Sequence, residues 1–351
     1  MKTIIVTGGA GFIGSAVVRA LINEKVFNVV NVDKLTYAAN LKNLKNVMHS
    51  NRYSFVKMDI CDLNKIKDLL ENYKPDAIIH LAAESHVDRS IDGPREFINT
   101  NIIGTYNLLN AALNYFKTIS DNRRKGFRFL HVSTDEVYGS LGESGKFLET
   151  TAYKPNSPYA ASKAASDLLV RSWYKTYGMP VIISNCSNNY GYYQFPEKLI
   201  PLMIIKAYKG EPLPIYGKGE NVRDWIHVDD HVDALLLILN KGKLGETYNI
   251  GGNCELSNYD VVQYICDEFD ELFPNSINVP HRNLITYVPD RPGHDFRYAI
   301  DSTKIQNELG WKAKESIKSG IKRTIKWYID NKIWWEDILE KKYKCQRLGK
   351  I

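Results

Sequence analysis

The chain is poor in cysteine and has no stretch suited to a membrane. Cys61, Cys186, Cys254, Cys266 and Cys345 are odd in number and far apart. No Cys-x-x-Cys pair and no Cys/His cluster at zinc-ligand spacing occurs, so neither a disulfide framework nor a metal is expected. The thiols read as reduced cysteines of a cytoplasmic protein. No apolar run approaches the ~20 residues that cross a bilayer, and no membrane partner is expected. Residues 2–7 already carry a strand pattern, which leaves no room for a signal peptide. Lys and Arg are scattered rather than gathered with aromatics. A net charge of +6 therefore favours acidic small ligands only weakly, and no nucleic acid is expected as a partner. Internal repeats, low-complexity segments and flexible linkers are absent too. What is present, 44% hydrophobic and 25% charged residues over 351 positions, is ordinary for one large or two modest globular domains.

The most informative stretch is Ser133-Thr134-Asp135-Glu136-Val137-Tyr138-Gly139. It follows an apolar run, Phe127 to Val132, that reads as a buried strand. Two adjacent acids thus leave the carboxyl end of a strand, the end that faces the ligand crevice in an open α/β sheet. Such a pair is poor for stability, because buried carboxylates are costly unless paired or hydrogen-bonded. Neighbouring carboxylates can also split their pKa values, one serving as acid and the other as base. An acidic turn, or Asp135 as a helix cap, is the plainer alternative.

The chain opens with a β-branched strand, Lys2 to Val6, then Thr7-Gly8-Gly9-Ala10-Gly11-Phe12-Ile13-Gly14, then an apolar helix pattern through Ile22. That context raises a glycine motif above chance. Gly8 permits the tight turn, Gly11 lets a pyrophosphate approach the backbone, and Gly14 lets helix and sheet pack closely. The helix N-terminus offers free N–H groups to phosphate. A second strand, Val29 to Asp33, ends on an acid about 20 residues later, where a carboxylate binds ribose hydroxyls. Asp33 would repel a 2′-phosphate, which favours NAD over NADP, although the neighbouring Lys34 would welcome one. A third strand, Tyr53 to Lys57, ends near Asp59-Ile60, suited to an adenine ring; Asp59 as a helix cap is the alternative. A fourth, Asp76 to Leu81, is followed by Ala82-Ala83-Glu84-Ser85-His86, and His86 reads as structural. A helix from Pro94 to about Tyr115 carries Asn99, Thr100, Asn101 and Gly104 near its sheet-facing side. Its buried amides need partners.

Beyond the acid pair, Pro158-Tyr159-Ala160-Ala161-Ser162-Lys163 opens a helix to about Tyr177. Tyr159 and Lys163 share one face, and a nearby ammonium is expected to lower the phenol pKa. Val181 to Cys186 is a sixth strand, and Ser187 to Gly191 follows it. Past that point the alternation breaks down. Helices are expected from Phe195 through Pro201 onward, over Asp229–Asn240 and Tyr259–Phe273, and roughly over Ile317–Asn331. Pro212 to Gly217 reads as extended and could face a flat ring. Arg223, Arg291 and Lys198 either grip a second pyrophosphate or are surface charge. Trp334-Trp335 and the tail from Lys341 read as an exposed-looking packing arm. The resulting fold class is α/β: a Rossmann-like doubly wound parallel sheet with a smaller α/β substrate-binding C-terminal domain. The expected division is 1–186 with 219–250 returning to it, 187–218 with 251–320, and a closing segment 321–351.

Thr7 to Gly14 together with Tyr159 to Lys163 resembles the double signature of the extended short-chain dehydrogenase/reductase superfamily. Asp33 to Tyr37, Leu81 to Asp88, Val132 to Gly139, Asn185 to Asn189, Phe195 to Pro201 and Asp290 to Asp295 resemble its dTDP-glucose 4,6-dehydratase family over nearly the whole chain. The resemblance implies an NAD-dependent hydro-lyase acting on dTDP-glucose, with Tyr159 as base on the 4-hydroxyl. It makes Glu136 the base at C5, Asp135 the acid at C6 and Thr134 a hydrogen-bond donor to the 4-oxygen, with Lys163 beside them. It implies an NAD site lined by Gly8, Gly11, Phe12, Ile13, Gly14, Asp33, Lys34, Leu35, Thr36, Asp59, Ile60, Leu81, Ala82, Ala83, Glu84, Thr100, Tyr159, Lys163 and Asn189. Substrate would meet Ser85, Thr134, Asn188, Lys198, Leu199, Pro214, Ile215, Tyr216, Arg223, Asn258, Arg291 and His294. A homodimer is implied as well. Tyr192-Tyr193-Gln194 and His227 depart from the family pattern on the expected substrate side, which leaves the sugar nucleotide less secure than the reaction. A UDP-glucose dehydratase, a 4-epimerase and a non-catalytic NAD-binding regulator are the competing readings.

Overall fold

Isoleucine and valine dominate the first strand because both its faces are covered by helices. Six strands come first in the chain: β1 (Lys2–Thr7), β2 (Phe27–Asp33), β3 (Tyr53–Lys57), β4 (Ala77–His80), β5 (Arg128–Thr134) and β6 (Val181–Cys186). Six shorter ones follow: β7 (Asn188–Tyr190), β8 (Leu213–Tyr216), β9 (Val222–His227), β10 (Thr247–Ile250), β11 (Glu255–Ser257) and β12 (Ile285–Val288). The computed structural model describes residues 1–341 and 343.

The main sheet runs β10-β6-β5-β4-β1-β2-β3, and every pairing in it is parallel. The order reverses at β1, so a crevice opens between the carboxyl ends of β1 and β4. One face is covered by helices Phe12–Asn23 and Val228–Lys241. The other is covered by Leu63–Tyr73, Thr105–Thr118 and Pro158–Tyr177. A second core gathers helices Leu199–Lys209, Asn258–Leu272 and Ile317–Asp330 beside a three-stranded sheet, β11-β9-β7, and a two-stranded one, β12-β8.

Two local expectations change, and one alternative falls away. The helix expected over Pro94–Tyr115 is a short turn, Pro94–Phe97, a π-helical stretch, Ile98–Gly104, and an α-helix, Thr105–Thr118. A Cβ on Gly104 would lie 2.7 Å from Ile60 Cδ1, so this glycine lets the wide turn press against the end of the third βα unit. Asp59 does not cap the next helix; Asp62 does, accepting from the Lys65 N–H at 3.2 Å. His86 caps a helix not expected from sequence, Val87–Asp92.

The larger correction concerns the C-terminus. Trp334 and Trp335 are not exposed: they lie in a helix, Lys332–Lys341, whose inner face joins the second core. Trp334 Nε1 donates to Asn43 Oδ1 at 2.9 Å, and Asn43 Nδ2 donates to the Ala10 carbonyl at 3.2 Å. The helix is thereby tied to the glycine-rich turn. Of the tail expected beyond it, all but Tyr343 lies outside the described residues. Trp335 is 1% exposed and donates to the Tyr328 carbonyl at 2.8 Å. Trp335→Ala should therefore cost about 3–5 kcal/mol of unfolding free energy, measured by urea denaturation.

Candidate active site

The glycine-rich turn is built by close approach. Gly8 has φ +72°, and a Cβ there would meet Ala82 backbone at 2.8 Å. A Cβ on Gly14 would sit 2.1 Å from the Gly8 carbonyl oxygen. The helix that follows starts at Gly11 without a side-chain cap or an acid in its first turn, leaving its N-terminal dipole aimed at the cleft. Asp33 Oδ2 accepts from the Ala10 N–H at 3.0 Å and Oδ1 from the Leu35 N–H at 2.8 Å. Lys34 lies 3.5 Å from Asp59 and donates to Thr100 Oγ1 at 3.2 Å. Its charge is thus matched, which weakens the case for a 2′-phosphate beside Asp33. Burial works against the Asp59 carboxylate, yet the Cys61 N–H and Lys34 together hold it below its ordinary pKa.

Asn101 answers the question of the helix amides. Its Oδ1 accepts from the Glu84 N–H at 2.9 Å; its Nδ2 donates to the Glu84 carbonyl at 3.0 Å and to Ser162 Oγ at 2.8 Å. One side chain therefore joins the Leu81–Ser85 loop to the helix of Tyr159.

At the end of β5, Thr134 rather than Asp135 caps the following turn, accepting from the Glu136 N–H at 3.3 Å. Asp135 is buried, and its Oδ2 has no hydrogen-bond partner among the described residues. Burial, then the neighbouring Glu136 and Asp224 carboxylates, push its pKa well up, which favours the acid form. Burial also raises Glu136, but Arg291, Lys198 and Arg223 oppose that shift. The pair is therefore asymmetric: an acid in Asp135 and, beside it, a carboxyl that three cations favour ionising.

Tyr159 lies next to this pair. Burial and the Glu136 carboxylate push its phenol well up, and a hydrogen bond with Thr134 works the other way. The expected lowering by Lys163 does not appear. Lys163 Nζ donates to the Val132 carbonyl at 2.9 Å and sits near Asp167.

One cleft along the carboxyl ends of the strands is lined by most of the expected residues. They include Gly8, Gly11, Phe12, Ile13, Gly14, Asp33, Lys34, Thr36, Asp59, Ile60, Leu81 to Ser85, Thr100, Thr134 to Glu136, Tyr159, Lys163, Asn188, Asn189 and Lys198. Leu35 is off the wall, but its N–H orients Asp33. Arg223 and Arg291 also stand off the wall, close enough to act on Glu136. Asp88, which sequence reasoning passed over, receives Arg291 Nη1 at 2.7 Å and the Tyr216 hydroxyl at 3.0 Å. His294 packs edge-on to Tyr216. The Ile215 side chain turns into the core, because β8 alternates and Leu213 and Ile215 share its buried face. Only its main chain could meet a ligand. Leu199, Pro214 and Asn258 are not brought to the cleft wall.

Another group missed in sequence bridges the two cores. Arg89 Nε meets Glu197 Oε2 at 2.9 Å, its guanidinium lies 3.8 Å from the centre of the Tyr37 ring, and the Tyr37 hydroxyl donates to Glu197. The departures from the expected pattern separate. His227 and Tyr192 pack against each other, and His227 accepts from the Asp229 N–H at a helix start. Only Gln194 reaches the cleft. Cys186 and Ser187 also line it; burial pushes the Cys186 thiol up to about 12.

A doubly wound sheet, a glycine-rich phosphate turn with an acid at the end of β2, and a Tyr159/Lys163 pair define an extended short-chain dehydrogenase/reductase. Residues 5–324 match the GDP-mannose 4,6 dehydratase family. The chain is 57% identical over 350 residues to the dTDP-glucose 4,6-dehydratase of Shigella flexneri, covering 97% of this chain and 96% of that one. It is 54% identical over 352 residues to that of Neisseria meningitidis, covering 99% of each. The dTDP-glucose 4,6-dehydratase of Streptomyces venezuelae, solved with NAD and TYD bound, superposes with a TM-score of 0.87 at 44% identity, over 96% of this chain and 99% of that one. The chain belongs to the dTDP-glucose 4,6-dehydratase family.

The turn geometry carries its own test. Gly14→Ala forces backbone to move and should destabilise the fold by about 1–3 kcal/mol, read from chemical denaturation.

Proposed function

We propose that the protein dehydrates dTDP-glucose to dTDP-4-keto-6-deoxyglucose with a resident NAD. The observation that carries this reading is the asymmetric acid pair: elimination of water needs a base and an acid on neighbouring carbons, and a 4-epimerase needs neither. The residues present suit NAD: an uncapped helix N-terminus over a glycine turn, Asp33 for ribose hydroxyls, and buried Ser187 Oγ and Asn188 Oδ1 atoms on the cleft wall without partners among the described residues. When bound, NAD supplies a hydride acceptor and donor.

Tyr159 takes the proton of the sugar 4-hydroxyl as its tyrosinate, while Thr134 hydrogen-bonds the 4-oxygen. Burial and Glu136 disfavour that anion in the protein alone, so it forms only with the ligands in place, where a cationic nicotinamide would favour it. With NAD as the hydride acceptor, this deprotonation would leave a ketone at C4. Glu136 then removes the C5 proton, which the ketone acidifies. Asp135 protonates the departing C6 hydroxyl, and water leaves. Because bound NAD would serve as acceptor at C4 and as donor at C6, no outside oxidant would be needed. Lys198, Arg223 and Arg291 hold the substrate diphosphate, the ligand to which bidentate guanidinium groups are suited. Gly8, Gly11, Gly14, Phe12, Ile13, Asp33 and Thr100 hold the cofactor with Lys163 and Asn189. On this reading the cofactor unit is 1–186 with 219–250, and the substrate unit is 187–218 with 251–320.

The test is a product assay by mass, with dTDP-glucose and UDP-glucose offered separately. Loss of one water from dTDP-glucose alone supports the reading. Water loss from UDP-glucose changes the substrate, and conversion at unchanged mass removes the roles given to Asp135 and Glu136. Glu136→Gln should keep nucleotide binding and lose at least about 100-fold in kcat.

We also read the protein as a cytoplasmic homodimer. Free thiols at Cys61, Cys186, Cys254 and Cys266 suit a reducing compartment. Ile103, Tyr106, Leu168 and Tyr177 are large apolar side chains exposed on the continuous Ile98–Thr118 helical run and the neighbouring helix Pro158–Tyr177, where a second copy would cover them. Ile103→Glu with Leu168→Glu should convert a dimer to monomers in light-scattering chromatography; an unchanged mass would remove this surface from consideration.

A further inference from the structure

Beneath the acid pair lies a buried carboxylate that the chemistry above does not use. Asp167 is 1% exposed. It accepts from Ser133 Oγ at 2.8 Å and from the Tyr153 hydroxyl at 3.0 Å, and lies 3.1 Å from His131 Nε2. Asn185 Nδ2 reaches it at 3.5 Å and also donates to the Thr134 carbonyl at 3.1 Å. Its partners come from β5, β6 and the loop before the Tyr159 helix.

Asp167 sits one helical turn beyond Lys163, on the same face. A buried ammonium stays charged only where an anion compensates for lost water. Facing Lys163 from β5 comes His131, and from β4 His80, both held neutral by burial. From β6 comes the Cys186 thiol, also neutral. Asp135, beyond Cys186, stays in its acid form. On its own helix stand Tyr159, a neutral phenol, and Asp167. Burial raises Asp167 to about 6, with Lys163 and its hydrogen-bond donors opposing the shift, so it is the one anion of this set at neutral pH.

We propose that Asp167 is a positioning residue for the dehydration. It holds Lys163 charged and, through Asn185, fixes the main chain at Thr134 from which Asp135 and Glu136 project. The proposal rests on the roles given above to Lys163 and the acid pair.

The test is the pH profile of Asp167→Asn, which nearly preserves shape and removes the charge. Near neutral pH, kcat should fall about ten- to a hundredfold, with KM changed less than about twofold. Without its anion, Lys163 loses its proton at lower pH, so the alkaline limb should move toward neutrality. In the unmodified protein, Asp167 gains a proton as pH falls through about 6, and the variant should lack that contribution to the acid limb. An equal loss at every pH, with both limbs in place, would overturn the proposal. Tyr153→Phe serves if the first variant does not fold. It removes one donor from Asp167, which should then protonate at higher pH and carry the acid limb upward; an unmoved limb would overturn the proposal as well. The profiles are read on whichever nucleotide-sugar conversion the mass assay finds in the unmodified protein. Epimerisation there would end the dehydratase reading yet leave the role of Asp167 measurable, since Tyr159 and Lys163 serve both reactions.

Discussion

Charge buried at the carboxyl ends of parallel strands governs this structure. Asp135 and Lys163 are taken from water at one place, with Glu136 half-buried beside them, and isolated buried charges there would cost several kcal/mol each. The fold answers with compensation of different kinds. Asp135 is neutral. Glu136 faces three cations. Lys163 is bonded to a strand carbonyl and stands near Asp167. Much of the polar interior supports these three groups. Ser133, Asn185, Tyr153 and His131 converge on one carboxylate, and Asn101 ties the loop after β4 to the helix that bears Tyr159 and Lys163.

The two cores are coupled across the cleft by the same economy of charge. Tyr37 comes from the loop after β2, Arg89 from the helix after β4, and Glu197 from the segment that enters the second core. Tyr216 and Arg291 reach back to Asp88 from the other side. Trp334, through Asn43, extends the tie to the glycine-rich turn itself. A ligand spanning the cleft would meet walls already braced against each other, so less ordering would be needed on binding.

Legibility in the sequence followed the range of the interactions. The glycine turn, Asp33, the Tyr159/Lys163 spacing and the acid pair are local, and each was readable because strand, turn and helix signals sit within a few residues. The competition between Asp59 and Asp62 for one helix cap was not readable, since both precede the helix at plausible spacing. The π-helical stretch was hidden because it depends on Gly104 meeting Ile60, more than forty positions away. Trp334 and Trp335 looked exposed because the flanking Lys and Glu residues signal solvent, while the surfaces that cover them come from distant helices.

By itself the sequence determined the alternation of strands and helices, the placing of the phosphate turn and the acids at strand ends, and the chemical types available for catalysis. These follow from periodicity and short-range sterics, which need no knowledge of what packs above. Tertiary structure alone decided which acid is protonated, why Tyr159 is not lowered by Lys163, that Ile215 turns inward, and that Asp167 stands under the site. Each of those depends on burial and on partners far away in the chain, and desolvation in particular is a property of the assembled interior that no local pattern carries.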